Sequence, residues 1–436
     1  MLLCAFQVFF MQSGFAMLEA GTIRMKNMKN IMLKNVIDAC VSTVAWWALG
    51  YAFAIGECGE SAFIGYHNFF ASSPSSATYW ASWMFGWAFS ATSATIISGA
   101  MAERARFRAY LVYTCAISAF VYPVVAHWVW SESGWLSARR RPNWNCGVKP
   151  IVYEPLIANT MGTMDFAGSG VVHMVGGGAA LVGAVLLGPR LGRFNQDGHV
   201  IQFANASAAH MALGVFILWL GWYGFNAGST QCFYGCMLVA ASIAVNTTLA
   251  AGAGGLTCLF LSVFFGAPGD IGPLLNGILA GAVSITAGCA MVTSYAAVII
   301  GAIGAFVYMG ASKLLQRLRI DDPVDAAPVH FFCGAWGVLA VGFFATETFT
   351  KAAYGYAADW GVFYGGSGRQ LGMQLLGLVC IAAWTCALSF LLFWSLRKAG
   401  WLRVDKESEQ QGLDIAQGIG SGIRPNCLPC LPCCRQ

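Results

Sequence analysis

The chain has 436 residues, 58% of them hydrophobic and 10% charged, with a mean hydropathy of +0.63. A soluble globule cannot hide that much apolar surface, so the composition defines a polytopic membrane protein. The net charge of +5 is too small to point to nucleic acid as a partner.

A helix needs about 20 mostly apolar residues to cross the hydrocarbon core. The chain opens on such a run, near 1–22, with no basic segment before it, which does not read as a cleavable signal. Further spans are predicted near 32–56, 79–101, 109–131, 165–188, 208–229, 234–266, 272–290, 293–315, 328–346 and 370–397, eleven in all. The seventh is long enough to be two short helices or one long one, and loop charge arbitrates. With eleven spans and the N-terminus outside, 18 of the 24 Lys and Arg residues lie inside and 6 outside. Splitting the seventh span turns this into 11 and 13, which is no bias. The outer cluster Arg139–Arg141 is the one local exception.

Spans one to five close on an aspartate followed by a histidine (Asp165, His173), and spans six to ten do the same (Asp325, His330). Five spans per repeat force the halves into opposite orientations, the inverted plan of many transporters. A polar stretch, 132–160, is expected to pack on the outer face. The transmembrane domain is read as 1–397, followed by a cytosolic tail, 398–436. Most of the 16 cysteines lie in apolar runs and behave as small hydrophobes. The sequons at Asn205 and Asn246 fall within the membrane region, where glycosylation is not expected.

Ionisable side chains at membrane depth are costly, roughly 2.5–3.5 kcal/mol when charged, and tend to mark a pathway. Imidazole is also the side chain whose proton moves most easily near neutral pH. His173 and His330 therefore point to a small, protonatable solute crossing a bilayer. Glu19 and Asp38 are intramembrane carboxylates expected to bond to neighbouring helices, and Asp325 is read as structural. No nucleotide loop or soluble catalytic motif is visible, and no cofactor or metal is called for.

Several longer stretches are more specific. They are Ser13-Gly-Phe-Ala-Met-Leu-Glu-Ala-Gly21, Lys29-Asn-Ile-Met-Leu-Lys-Asn-Val36, Ala102-Glu-Arg104, Tyr122-Pro-Val-Val-Ala-His-Trp128, Asp165-Phe-Ala-Gly-Ser-Gly-Val-Val-His173, Gly221-Trp-Tyr-Gly-Phe-Asn-Ala-Gly-Ser229 and Asp321-Asp-Pro-Val-Asp325. In this order, from residue 13 to about 420, the chain resembles the ammonium transporter family, with its Mep and Rhesus relatives, and especially the plant and algal branch. The resemblance implies an all-α subunit of eleven transmembrane helices with one pore, N-terminus outside and C-terminus inside. It also implies a homotrimer in lipid, at the plasma membrane, acting on ammonium or ammonia with methylammonium as analogue.

By position in the motifs, Trp130, Phe85 and Ser229 would form an outer substrate site, with buried Asp165 supporting it. Phe89 and Phe225 would be a stacked gate, and His173 and His330 a proton-relaying pair. One departure stands out: Gly86 occupies a position where plant-type members usually have Gln.

The chemistry suits these residue types. Ammonium and potassium are nearly equal in size, so selection must test hydrogen bonding or proton loss. Aromatic faces stabilise a desolvated cation by about 2 kcal/mol, and a serine hydroxyl accepts an N–H. Two facing imidazoles can share a hydrogen bond and offer polar contact without fixed charge. The bland alternatives are rings that merely pack or sit in interface belts, and a histidine that only bonds within a bundle.

In the tail, Gly412-Leu-Asp-Ile-Ala416 resembles the motif through which the plant branch contacts a neighbouring subunit. Ala416 stands at its threonine position, so phosphorylation there is impossible, while coupling through Asp414 is retained. Cys427, Cys430, Cys433 and Cys434 suit reversible palmitoylation, with metal binding or an unmodified end as alternatives. Competing functional readings are an ammonium sensor, a Rhesus-like ammonia channel and a haem protein ligated by His173 and His330.

Overall fold

The computed structural model describes residues 1–55, 61–72, 76–139, 155–232, 234–266 and 270–419. The cysteine cluster at 427–434 lies outside them. Among the described residues the chain is helical, with isolated β-bridges and no strand. The long helices, numbered in chain order, are α1 (Leu2–Thr22), α2 (Met25–Ile55), α3 (Ala77–Met101), α4 (Phe107–Trp130), α5 (Ser169–Leu187), α6 (Ala208–Gly228), α7 (Met237–Phe264), α8 (Ile271–Thr286), α9 (Ser294–Arg317), α10 (Ala327–Phe344) and, after short α11 (Glu347–Tyr354), α12 (Arg369–Lys398). Nine of these described helices are long and apolar enough to cross a membrane. Of the others, α8 has 16 residues, and α3 carries a polar interior face of Ser90, Thr92, Ser93, Thr95 and Ser98. The doubtful stretch 234–266 forms one continuous 28-residue helix, α7.

Helix starts follow ordinary capping chemistry. The side chains of Ser76, Ser207, Asp270, Thr293 and Thr346 each accept a hydrogen bond from a backbone N–H of the first turn. Pro123 lies inside α4, where its missing donor would break a regular ladder. The chain absorbs it with a π-helical turn at Ile117–Val121 just before. Cys232 and Cys236, just after α6, form a disulfide that the apolar-run reading did not foresee.

The two halves meet through helices that run antiparallel. On α1 and α6, Gly21 lies against Met211, Gly14 against Leu218 and Cys4 against Gly228. Likewise α5 and α10 oppose each other, with Gly177 on the His330–Phe331 backbone and Gly334 on Ser169 and Met174. First helix against first and fifth against fifth, both reversed, is the packing that inverted halves require.

One end of the bundle carries a buried ionic clamp. Glu103, after α3, accepts from Arg24 at 2.5 Å, Arg190 at 2.6 Å and Asn27 at 2.9 Å. Arg190 also grips Asp321 with two nitrogens, at 2.7 and 2.9 Å, and Arg104 donates to the Asp321 carbonyl at 2.7 Å. Burial pushes the Asp321 carboxyl up, but the Arg104 and Arg190 charges more than offset it and hold it well below the usual carboxylate range. A carboxyl depressed in this way contributes stability above its unfolded value, near 3.9, and loses it only as pH falls through the lower folded value.

The tail closes over the same end of the same chain. Asp414 accepts from the backbone N–H groups of Lys29 (3.0 Å) and Asn30 (2.7 Å), capping the start of α2, while Leu413 N–H donates to Asn27 at 2.8 Å. Gly412, at φ +100°, packs on Lys26. Glu409 receives the Leu191 N–H and Arg403. Replacing Asp321 by Asn is expected to cost about 3 kcal/mol, because buried Arg190 loses one of its two carboxylate partners and keeps only Glu103. Denaturant unfolding in detergent at neutral pH checks this, with Asp405→Asn as the exposed control.

Candidate functional site

At the opposite end, α2, α3, α4 and α6 enclose a cavity of about 250 Å³. Phe85, Phe89, Trp130 and Ser229, all singled out from sequence, line it, together with Trp46, Tyr122, Glu132 and Arg139. Trp130 closes α4, and its indole N–H donates to the Asp165 carbonyl at 2.7 Å, which fixes the ring. Ser229 ends α6 and donates to the Phe225 carbonyl at 2.8 Å. That uses the only hydroxyl proton, so the oxygen lone pairs remain to accept from a guest.

Asp165 does not enter the cavity. Its carboxylate accepts from the N–H groups of Gly168, Gly170 and Val171, each at 2.9 Å, and so caps α5. Its influence on the cavity runs through Trp130.

Below the cavity, aromatic rings form a column. Trp130 meets Phe89 edge-on at 5.8 Å, and Phe89 stacks on Phe225 at 4.0 Å and 20°. Phe225 stacks on His173 at 5.4 Å, and His173 on His330 at 5.2 Å and 19°. Phe15 follows at 6.2 Å from His330. The two imidazoles share a hydrogen bond, with Nδ1 to Nδ1 at 3.1 Å. Nε2 of His173 is buried without a hydrogen-bond partner among the described residues.

Local structure explains how two histidines from distant segments meet. Each sits in a π-helical turn opening its helix, Ser169–Met174 in α5 and Ala327–Phe332 in α10. A π turn adds one residue to the ladder and rotates the side chains that follow, a device frequent at functional sites. Gly177 lets the α5 backbone touch that of His330 and Phe331, where a Cβ would collide. Each turn is also capped by a carboxylate eight residues before its histidine, Asp165 for His173 and Asp322 for His330. The structural counterpart of Asp165 is therefore Asp322, whose carboxylate accepts from Ala327 N–H at 2.7 Å. The expected counterpart, Asp325, instead receives Tyr308 and Ser312 at 3.0 Å and ties α9 to α10.

Sequence reasoning missed Trp222 and Trp46. Trp222 stacks on His173 at 5.3 Å and donates to Thr286 at 3.0 Å. It lies one turn before Phe225 on the same face, a spacing that was available to read. Trp46 comes from a π-helical turn of α2, and its indole N–H donates to the Trp83 carbonyl at 3.1 Å. It also accounts for Gly86: a Cβ there would come within 2.7 Å of the Trp46 ring. The tryptophan occupies space that a side chain at position 86 would need.

A helical membrane bundle that buries a column of rings and paired imidazoles beneath a cavity at one end has the build of a membrane transport protein. The model of the Ammonium Transporter Family matches residues 1–420. Ammonium transporter 1 member 1 of Arabidopsis thaliana is 42% identical over 416 residues, covering 93% of this chain and 80% of its own. Ammonium transporter Amt2 of Archaeoglobus fulgidus is 40% identical over 416 residues, covering 95% and 86%. Among solved structures, a Sensor Amt Protein aligns with a TM-score of 0.83 at 32% identity, covering 95% of this chain and 96% of that one. Candida albicans Mep2 aligns at 0.81 with 29% identity, covering 96% and 88%. The chain belongs to the ammonium transporter family.

Gly86→Gln is expected to displace Trp46 and lower stability, and Trp46→Phe should relieve part of that loss. A double-mutant cycle on unfolding in detergent should give a coupling of about 1 kcal/mol. Additive losses would show that the two positions do not share the space.

Proposed function

We propose that this subunit recruits ammonium at an aromatic outer site, strips one proton from it at a histidine pair and passes ammonia onward. The observation that carries this reading is the ring column from Trp130 to Phe15, with the hydrogen-bonded imidazoles inside it. Trp130 and Phe85 supply π faces for the cation, and Ser229 supplies an acceptor. Phe89 and Phe225, 4.0 Å apart, must part for a solute to pass, which makes them a gate.

Below the gate, one N–H bond of ammonium breaks, its electron pair staying on nitrogen, and the proton goes to Nε2 of His173. The proton on Nδ1 of His173 then moves to Nδ1 of His330. Ammonia leaves along the apolar path. The direct Nδ1–Nδ1 hydrogen bond, at 3.1 Å, supports an imidazole pair in contact over two ligands separated by a haem iron. The Trp130 ring favours this reading over a Rhesus-like gas channel.

The full proposal is a homotrimer of eleven-span subunits in the plasma membrane, N-terminus outside, with methylammonium as an alternative solute and no cofactor. The Lys and Arg distribution supports the orientation. So does the Cys232–Cys236 disulfide near the Ser229 end, because disulfides persist in oxidising surroundings. The trimer and the location rest on the family resemblance. Asp414 and Gly412 are proposed as the regulatory part of the tail, since their contacts reach α2, which also lines the outer cavity through Trp46.

In proteoliposomes, His173→Ala should lower the ammonium-evoked charge per labelled methylammonium taken up by about a hundredfold, with trimer assembly unchanged on native gels. Unaltered charge coupling and selectivity would remove the relay from the reading. Trp130→Ala should weaken apparent ammonium affinity by roughly tenfold, as loss of a desolvated cation–π contact implies. Concentration dependence of the current measures it.

A further inference from the structure

We infer that Glu19 is the group that takes the proton from the histidine pair and hands it toward the tail-bearing end of the molecule. The inference rests on the relay proposed above. It begins from a small cavity, about 20 Å³, just beyond His330. His330, Glu19 and Asn276 border it, and the rest of its wall is apolar, including Phe15, Leu279 and Val324. That volume holds about one water, and a buried water needs two to four polar partners. With Nδ1 of His330 committed to His173, Nε2 is its remaining nitrogen. Asn276 spends its amide N–H on Tyr308 at 3.2 Å, which leaves its carbonyl oxygen.

Glu19 is 2% exposed and makes no ion pair among the described residues. Ser98 donates to its Oε1, and Asn35 to its Oε2 at 2.8 Å. A carboxylate buried in a membrane helix with only neutral donors is expensive to keep. Packing does not require it, since an amide would fill the same space. The proton step gives it a use. Nε2–H of His330 breaks, its electron pair staying on nitrogen and its proton passing to the bridging water, which gives one of its own protons to a Glu19 oxygen. The product is a carboxylic acid and a neutral His330, and Glu19 then loses that proton toward the end bearing Asp321.

The titratable groups facing Glu19 come from three directions. Lys34 and Asp38 face it from α2, and Tyr110 and Tyr113 from α4. Asp322 faces it from the segment before α10, 8% exposed and with Oδ1 lacking a hydrogen-bond partner among the described residues. Lys34 is held by the Ala105 carbonyl at 2.9 Å and the Tyr110 ring at 4.3 Å, so it attracts a carboxylate without binding it. Asp322 offers the next acceptor.

The test uses full-length protein in proteoliposomes, with ammonium-evoked charge and labelled methylammonium uptake measured on the same preparation. Glu19→Gln, isosteric but unable to accept the proton, should lower charge per solute by about a hundredfold. Glu19→Asp should retain most of it. An unchanged charge-to-solute ratio in Glu19→Gln overturns the inference, as does equal loss of charge and uptake in both Glu19 variants. His330→Ala, run alongside, separates the two ideas. If it uncouples charge while Glu19→Gln does not, only Glu19 is misassigned, and if neither does, the relay itself falls.

Discussion

The hydrogen bond between Nδ1 of His173 and Nδ1 of His330 is the contact on which the rest of the interior depends. Here a 3.1 Å approach between side chains 157 residues apart is accompanied by a close crossing of the two backbones. Two local features shape that crossing. Gly177 removes the obstructing atom, and matching π turns in α5 and α10 swing the imidazoles into line. Each turn is then pinned by a carboxylate on its free N–H groups, Asp165 or Asp322. Polar backbone that would be intolerable against lipid is satisfied here by buried carboxylates.

Among the described residues, the buried ion pairs lie away from the ring column. Glu103, Asp321, Arg24, Arg104, Arg190 and Arg403 gather at one end, where they join α1, α3, α5 and the loop before α10 and hold the tail. The opposite end brings the rings of Phe85, Phe89 and Trp130 and the Ser229 hydroxyl into one cavity, whose wall also holds Glu132 and Arg139. A carboxylate alone would attract potassium as strongly as ammonium, so on the reading proposed above discrimination rests on hydrogen bonding and on proton loss farther in.

Helix positions were legible in the sequence because an apolar run of about 20 residues has few other uses. Loop charge favoured a single seventh span, and α7 is one unbroken helix. The π turns were not legible, since one inserted residue hardly disturbs a pattern that is apolar on every face. The reading paired Asp165 with Asp325 by proximity to a histidine, although the common eight-residue spacing pointed to Asp322. The cavity rings from α3, α4 and α6 were found through motifs. Trp46 was not, because its place depends on how α2 packs against Gly86, and no local pattern carries that. The chain's departure at Gly86 was visible from sequence, but its cause was tertiary.

The pairing of Gly86 with Trp46 shows how a polar site can change hands without changing shape. A side chain at position 86 would project from α3 into space now filled from α2 by an indole anchored on the Trp83 carbonyl. The anchor consumes the indole's only donor, so the ring presents its carbon face to the cavity. An amide in that place would have brought both a donor and an acceptor. On the reading proposed above, the cavity then offers a cation more π surface and no amide at position 86, which shifts weight from hydrogen bonding toward desolvated cation–π contact. On that reading the proton chemistry of the histidine pair becomes the more exacting test of what passes.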